Sequence, residues 1–501
     1  MKRRLTEQAV LFISIIKWVF LATIIGIVVG LSTTVFLKIL NWSRLFSNNF
    51  PYYFLLLPLA LFLSAAIIKY LAPDAEGHGT EKVIEAIHKH SGKIKAMVVP
   101  VKLVSTIITL AAGGSVGKEG PCAQIGGGLS SIFSDIFKFS DSDRKKLVIC
   151  GISAGFASVF GTPIAGAIFG VEVLFIGGIL YDVLLPSFIA GIISYHISSS
   201  LGITYFYHSI SFVPVFSEDF FVKVIFAGIF FGFCSALLIE LLKLGSKMSK
   251  RLHMSKPLKG ILGGLVLISL VFIFSKQYLG LGLETIQSSL EGAKTVWYAF
   301  ILKIIFTSIT LNFGGSGGIV TPIFFIGAAS GTLFATLLGL DVATFAAIGL
   351  VSVLAGAANT PIAASIMAVE LFGPKVAPYA TVACVISFLM TGHRSVYPSQ
   401  ILAIKKSPSF EVETGQEIEG VSAQYQFRKN SLIGFLSNII KLLFKYNRKE
   451  RIMKNKCEKA ELTNCIKEKA KELWKKDGSK QGNDLVYWLQ AEKIVKGQMK
   501  K

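Results

Sequence analysis

The chain has 501 residues, 52% of them hydrophobic and only 16% charged, with a mean hydropathy of +0.61. About a quarter of the residues in a soluble globular protein are charged, so the composition excludes an ordinary soluble domain and points to the membrane class. The formal net charge of +21 does not imply nucleic acid, because residues 441–501 alone hold 18 Lys and Arg against 8 Asp and Glu.

The first long apolar run, AVLFISIIKWVFLATIIGIVVGLSTTVFLKIL, exceeds a signal-peptide core and lacks a clear small-x-small cleavage site, so it is read as retained. YYFLLLPLALFLSAAIIKYLA follows, and 221–243 and 259–280 are likewise long enough to span a bilayer. Both ends of the chain are basic (MKRR and the tail), which predicts two cytoplasmic termini and an even number of crossings of the cell membrane. The six cysteines form neither a close cluster nor a CxxC pair, so neither a metal site, another cofactor nor a disulfide framework is expected.

Between these runs lie short segments that cannot be comfortable helix interiors. EGHGT (76–80) precedes the amphipathic stretch EKVIEAIHKH, GGSVGKEGP (113–121) places Glu119 where the flanks call for lipid, and GGIVTP (317–322) has the same construction. Glycine raises the cost of helix and proline removes a donor, but proline suits a first helical turn, so EGP reads as the start of a new helix at membrane depth. Broken backbone at that depth is allowed only where it is buried in protein or lines a cavity.

The broken segments belong to a duplication. GGSVGKEGPCAQIG (113–126) and GGSGGIVTPIFFIG (314–327) share seven of fourteen positions without a gap, and TPIAGAIFGVE (162–172) and TPIAASIMAVE (360–370) share seven of eleven. The offsets are 201 and 198 residues, which predicts two repeats, about 10–203 and about 221–404. Paired repeats with interrupted helices suggest a transporter-like site at their interface, but identity alone leaves parallel and inverted arrangements open. Three helix starts brought together would aim N–H groups and partial positive charge at one point, which suits an anion. The acids fall one per motif (Glu119, Glu172, Glu370), unlike the carboxylate ring of a cation site. Glu119 can sit where the anion would sit and swing away. The alternative is a buried pair with Lys118. Glu172 and Glu370, each ten residues after a Thr-Pro, are read as structural acceptors of N–H bonds from a neighbouring helix end.

GGSVGKEGP resembles the G-[KR]-E-G-P signature of the voltage-gated chloride channel family, which includes chloride channels and chloride/proton exchangers. GGIVTP is similar to its G-x-F-x-P motif, GHGT to its G-S-G-I-P motif, and GHRSVYPSQIL (392–402) to the segment carrying its pore tyrosine. The resemblance implies an all-α membrane protein in which residues 1–404 form an inverted repeat of tilted, broken helices. It also implies a homodimer with one pore in each subunit, no enzymatic activity, and no cofactor. Carried over, Glu119 is the gating glutamate, and His78, Gly79, the amides of Ile319 and Val320, and Tyr397 line the anion site. Gly117, Lys118, Gly120, Pro121 and Gly318 form the pore loops. Lys118 is read either as a solvated vestibule base or as a steering charge.

Three departures bear on function. His78 replaces a hydroxyl donor, which opens the choice among chloride, fluoride and nitrate, and GTE lacks the family's proline. Exchangers of the family often carry a second acid after the TPIAGAIFGVE block, where this chain has Val173. The single acid favours passive conduction over proton-coupled exchange, with a water wire to Glu119 keeping exchange open. A cation-coupled organic-anion transporter uses repeats and broken helices too. A membrane enzyme would need a denser set of acids, bases and nucleophiles than the chain offers.

The remainder divides into a polar linker (405–430), a basic amphipathic segment (431–464) suited to an anionic leaflet or to the membrane domain's surface, and a small helical cytoplasmic domain (465–501). The last resembles a small bacterial domain of unknown function, with Trp474, Trp488 and Ala491 closing a tiny core. It is too short for paired nucleotide-binding domains, so no nucleotide partner is expected.

Overall fold

The computed structural model describes residues 2–205, 207–208, 217–421, 424–425, 464, 466–477 and 488–494. The chain divides into two compact units, one of residues 1–408 and 412–423, the other of 409–411 and 424–501.

The first unit contains α1 (Lys2–Asn48), α2 (Leu57–Leu71), α3 (Thr80–Lys89), α4 (Val98–Ala111), α5 (Glu119–Ile136), α6 (Asp141–Phe160), α7 (Pro163–Glu172) and α8 (Tyr181–Ser200). A second set follows in the same order: α9 (Glu218–Arg251), α10 (Lys256–Ile273), α11 (Leu283–Leu290), α12 (Ala299–Asn312), α13 (Val320–Leu338), α14 (Val342–Ala358), α15 (Pro361–Phe372) and α16 (Ala377–Met390). Each helix of the first set has a counterpart of similar rank and length in the second. The packing repeats as well: α5 lies on α6 as α13 lies on α14, and α1 on α8 as α9 on α16.

Local chemistry sets the boundaries. Proline occupies the first turn of α5, α7, α10, α13 and α15, where its missing N–H costs nothing. Ser140 and Asp341 accept the N–H groups of Asp143 and Thr344 at the starts of α6 and α14. Gly161, Gly339 and Asn359 end α6, α13 and α14 in the left-handed conformation. The span expected at 259–280 is shorter in the structure, because α10 stops at Ile273 and a 3₁₀ turn takes Lys276–Tyr278.

Among the described residues, six helices are long and apolar enough to cross a membrane. Others are too short: α3 and α7 have ten residues and α11 has eight. At 1.5 Å per residue each covers about half, or less, of the ~30 Å hydrocarbon core.

Two reciprocal contacts show that the repeats are inverted. Glu172, at the C-terminal end of α7, accepts the N–H groups of Ile362 and Ala363 at the start of α15, at 3.0 and 2.8 Å. Glu370, at the end of α15, accepts those of Ile164 and Ala165 at the start of α7, at 3.0 and 2.8 Å. Each helix therefore ends where the other begins, and the two run antiparallel. The structural reading of both acids is the one the geometry supports. Glu172→Ala would leave two helix-start donors bare, at roughly 1–3 kcal/mol each. We expect a clearly lower thermal unfolding midpoint in detergent, and a smaller loss for Glu172→Gln, which retains one acceptor.

Two-residue parallel strands, β1 (Phe175–Ile176) and β2 (Ile401–Leu402), tie the chain after α7 to the chain after Tyr397. In the second unit, β3 (Phe410–Glu411) pairs antiparallel with β4 (Gln424–Tyr425). Residues 466–476 and 488–494 of that unit are helical, with Ile466 and Ala491 buried and Trp474 and Trp488 half-buried. Most of the 431–464 segment and residues 478–487 lie outside the described residues.

Candidate functional site

The pore-loop segments meet backbone to backbone. Gly117 N–H donates to Gly318 O at 2.7 Å and Gly318 N–H donates to Gly117 O at 2.6 Å, an antiparallel bridge between the repeats. The N–H groups of these two glycines hold the loops together. A Cβ built on Gly120 would stand 2.0 Å from His78 O and 2.9 Å from Gly318 Cα, and one on Gly79 would stand 2.4 Å from Gly120 O. The loop before α3 and the starts of α5 and α13 therefore touch at one point, within reach of one small ion.

Neighbouring hydroxyls repeat the exchange between halves. Thr310 on α12 accepts Ser115 N–H, and Thr109 on α4 accepts Ser316 N–H, both at 3.1 Å. Two lysines, Lys102 and Lys303, are fully buried in α4 and α12. Lys102 Nζ donates to Ala75 O and Gly77 O at 3.1 and 2.6 Å, and Lys303 Nζ donates to Tyr278 O and Gly280 O at 3.1 and 2.8 Å. Each cation ties down the carbonyls of a glycine loop. Sequence reasoning missed both lysines, and it missed the 280–282 loop as the counterpart of 77–79. Inverted symmetry puts these loops on opposite faces.

Glu119, at the start of α5, is 1% exposed. Its Oε1 accepts Val320 N–H at 2.5 Å and its Oε2 accepts the Thr321 hydroxyl at 2.7 Å. The carboxylate occupies first-turn donors of α13, where a helix start favours negative charge. These bonds, rather than a pair with Lys118, account for both oxygens. Lys118 precedes it as the N-cap residue of α5, and Pro121 sits in that helix's first turn. Ile319 is the N-cap residue of α13. Thr321 was not singled out from sequence, although a hydroxyl in the first turn after GGIV was a legible signal.

Beyond the loops, the Tyr397 and His78 rings lie 5.5 Å apart. Tyr397 is fully buried. Tyr397 Oη and His78 Nδ1 are both buried with no hydrogen-bond partner among the described residues. Gln400 sets the turn that carries the tyrosine: its Nε2 donates to Val173 O and Ala358 O at 2.7 and 2.8 Å, and its Oε1 accepts the Ser395 hydroxyl at 2.6 Å. Ser395 Oγ in turn accepts Tyr397 N–H at 2.9 Å.

A cavity of 370 Å³ reaches His78 and is lined by Ser395, Val396 and Pro398 and by Lys243, Lys247 and Lys250 of α9. A second, of 420 Å³, is lined by Gly280 and Glu284 from the symmetry-related loop and by Arg44 and Lys276. Cations lining a cavity raise the local concentration of anions in it.

Residues 60–392 match the family model described as voltage gated chloride channel, and residues 461–497 match that of a protein of unknown function, DUF2934. The chain is 37% identical over 407 residues to a chloride/fluoride channel protein of Pseudomonas syringae pathovar tomato, covering 80% of this chain and 89% of the relative. It is 26% identical to the H(+)/Cl(-) exchange transporter ClcA of Klebsiella pneumoniae, covering 70% and 80%. Among solved structures, it is similar to a CLC-type fluoride/proton antiporter, with TM-score 0.73, 29% identity, and 77% and 97% coverage. A slow cyanobacterial Cl-/H+ antiporter shares the fold at TM-score 0.65 and 22% identity, with 75% and 94% coverage.

Proposed function

The chain belongs to the voltage gated chloride channel family, and from that premise we propose that it exchanges a small halide, fluoride foremost, for protons across the membrane. The observation that carries the reading is the position of Glu119. Its carboxylate is the plug, seated on the donors an entering anion would use. An anion gains the Val320 N–H and the Thr321 hydroxyl only when that carboxylate leaves. A proton on Glu119 removes the negative charge that the start of α13 favours, which weakens the carboxyl's hold on the seat and lets an anion compete for it. Anion entry and proton uptake are thus linked at one set of atoms.

Fluoride is favoured by the donors left over. A small, strongly hydrated anion needs firm hydrogen bonds in place of its water, and the free Tyr397 hydroxyl and His78 ring nitrogen supply them at one constriction. The names of a chloride/fluoride relative and of a fluoride/proton antiporter agree with this choice. The Lys243, Lys247 and Lys250 mouth is assigned to the cytoplasm on the positive-inside rule, together with the two basic termini of an inner-membrane homodimer. Passive conduction is the second reading, and buried, untitratable Val173 favours it. An organic anion finds no support where three backbones touch.

The test is a fluoride or chloride gradient across proteoliposomes at neutral pH, where little hydrogen fluoride forms, with proton movement followed by a trapped dye. Sustained uphill proton transport is expected, faster with fluoride. Anion flux with a reversal potential set by the anion alone would establish passive conduction instead.

A further inference from the structure

Coupled exchange requires a proton to reach Glu119 from both mouths. The cavity lining includes His78 but not Glu119, whose carboxylate is buried against Gly117 and Gly318. A proton coming from that side needs a titratable stop short of the loops. Four acids are candidates by burial. Glu119 has both oxygens bonded, and so do Glu172 and Glu370, whose four oxygens each take a backbone N–H. The fourth is Glu81, in the first turn of α3.

Glu81 differs in how its oxygens are used. Oε1 accepts the backbone N–H of Ser399 at 2.9 Å and its hydroxyl at 2.5 Å. Oε2 is buried and has no partner among the described residues. One oxygen is anchored and the other is free to carry a proton. The anchor, Ser399, lies two residues after Tyr397 in the same turn. The cavity reaches His78, Val396 and Pro398, which flank Glu81's loop and its anchoring turn. The other titratable groups around Glu81 are Lys82, Glu85 and Lys89 on its own helix. Lys82 and Lys89 are engaged with Glu85, and Lys89 also with Glu417.

We propose that Glu81 is the proton-carrying acid on the His78 side of the anion site, passing protons to and from Glu119 past Tyr397. In the step, Oε2 takes a proton from water in the cavity and later releases it, through water beside the tyrosine, to the Glu119 carboxylate. No other bond is made or broken, and the net charge moved is the proton. The inference rests on the coupled-exchange reading above.

Proteoliposomes of the full chain, loaded with fluoride and read for both fluoride efflux and proton uptake, test it. Glu81→Gln should lower the protons moved per fluoride by at least about tenfold and flatten the dependence of proton flux on the pH of the His78 side. Glu81→Asp should restore coupling in part. A purely structural Glu81 would slow both ions together and leave their ratio and pH profile in place, and that result overturns the proposal. So does a Glu81→Gln ratio within twofold of the unmodified protein. If the unmodified protein moves no protons, the exchange reading itself fails, and Glu81 falls with it. Should Glu81→Gln not fold, Ser399→Ala decides: removing one of the two donors on Oε1 should shift the pH midpoint of proton flux by about one unit, and an unmoved midpoint rejects the role.

Discussion

Gly120→Ala is expected to reduce anion flux by about a hundredfold or more in protein that still inserts into the membrane. The reason is steric and lies in backbone rather than side chains. The added methyl would be placed 2.0 Å from the carbonyl oxygen of His78 and 2.9 Å from the Cα of Gly318, and no rotamer change relieves either contact. The loop before α3 or the start of α5 must move by about an ångström. Overpacking of this kind ordinarily costs about 1–3 kcal/mol. The functional loss is larger, because the displaced groups are the ones that seat Glu119, and an ångström of misplacement at a reacting centre can remove about 10²-fold in rate. Gly77→Ala is the matched control. Gly77 has φ of +78° but nothing within 4 Å of a built Cβ, so it tests backbone conformation alone. It should cost about 1 kcal/mol and only a few-fold in flux. Fluoride efflux from proteoliposomes, normalised to reconstituted protein, reads both. Gly120→Ala flux within threefold of the unmodified protein would mean that the three loops do not form the pathway.

Much of this site was legible before any coordinates, because its chemistry is local in sequence. GKEGP and GGIVTP carry glycine, a hydroxyl or acid, and a first-turn proline within a few residues, which is a helix start wherever it lies in the fold. The duplication was legible for the same reason, and the matched places of Glu172 and Glu370 exposed their shared task. What stayed hidden depends on contacts between distant segments. The inversion shows only when Glu172 is seen capping α15 while Glu370 caps α7. The bridge between Gly117 and Gly318 was hidden too, because the two residues are 201 positions apart. GLGLE (280–284) repeats only the two glycines and the acid of GHGTE (77–81), too little to stand out in a chain with 47 glycines. Lys102 and Lys303 read as interruptions of apolar runs until the carbonyls they hold were placed around them. The sequence leaned towards passive conduction because position 173 is valine. The Val320 amide occupied by Glu119 is a product of the fold, and it is what supports the exchange reading proposed above.

Glu119→Gln is expected to lower proton flux by about a hundredfold or more, in the range that general acid–base groups supply, and to make the remaining anion flux independent of pH. The substitution is nearly isosteric. The Gln amide oxygen can keep the Val320 N–H, and its amide NH₂ can donate to Thr321 Oγ1 once that hydroxyl turns from donor to acceptor. The side chain therefore stands in for the protonated, neutral glutamate: it can still make hydrogen bonds in the seat, but it neither takes up nor gives back a proton. Glu119→Ala removes the plug and leaves the Val320 N–H and the Thr321 hydroxyl to the anion. It should also lose proton flux, yet pass fluoride faster than Glu119→Gln. The ordering separates two jobs of one side chain: proton flux needs the carboxyl, whereas anion flux needs only its departure. Paired measurements of proton uptake and fluoride efflux in the same vesicles read both. Proton transport surviving in either variant would remove Glu119 from the gate. Fluoride flux in the Ala variant no faster than in the Gln variant would show that the anion does not pass through the seat that Glu119 occupies.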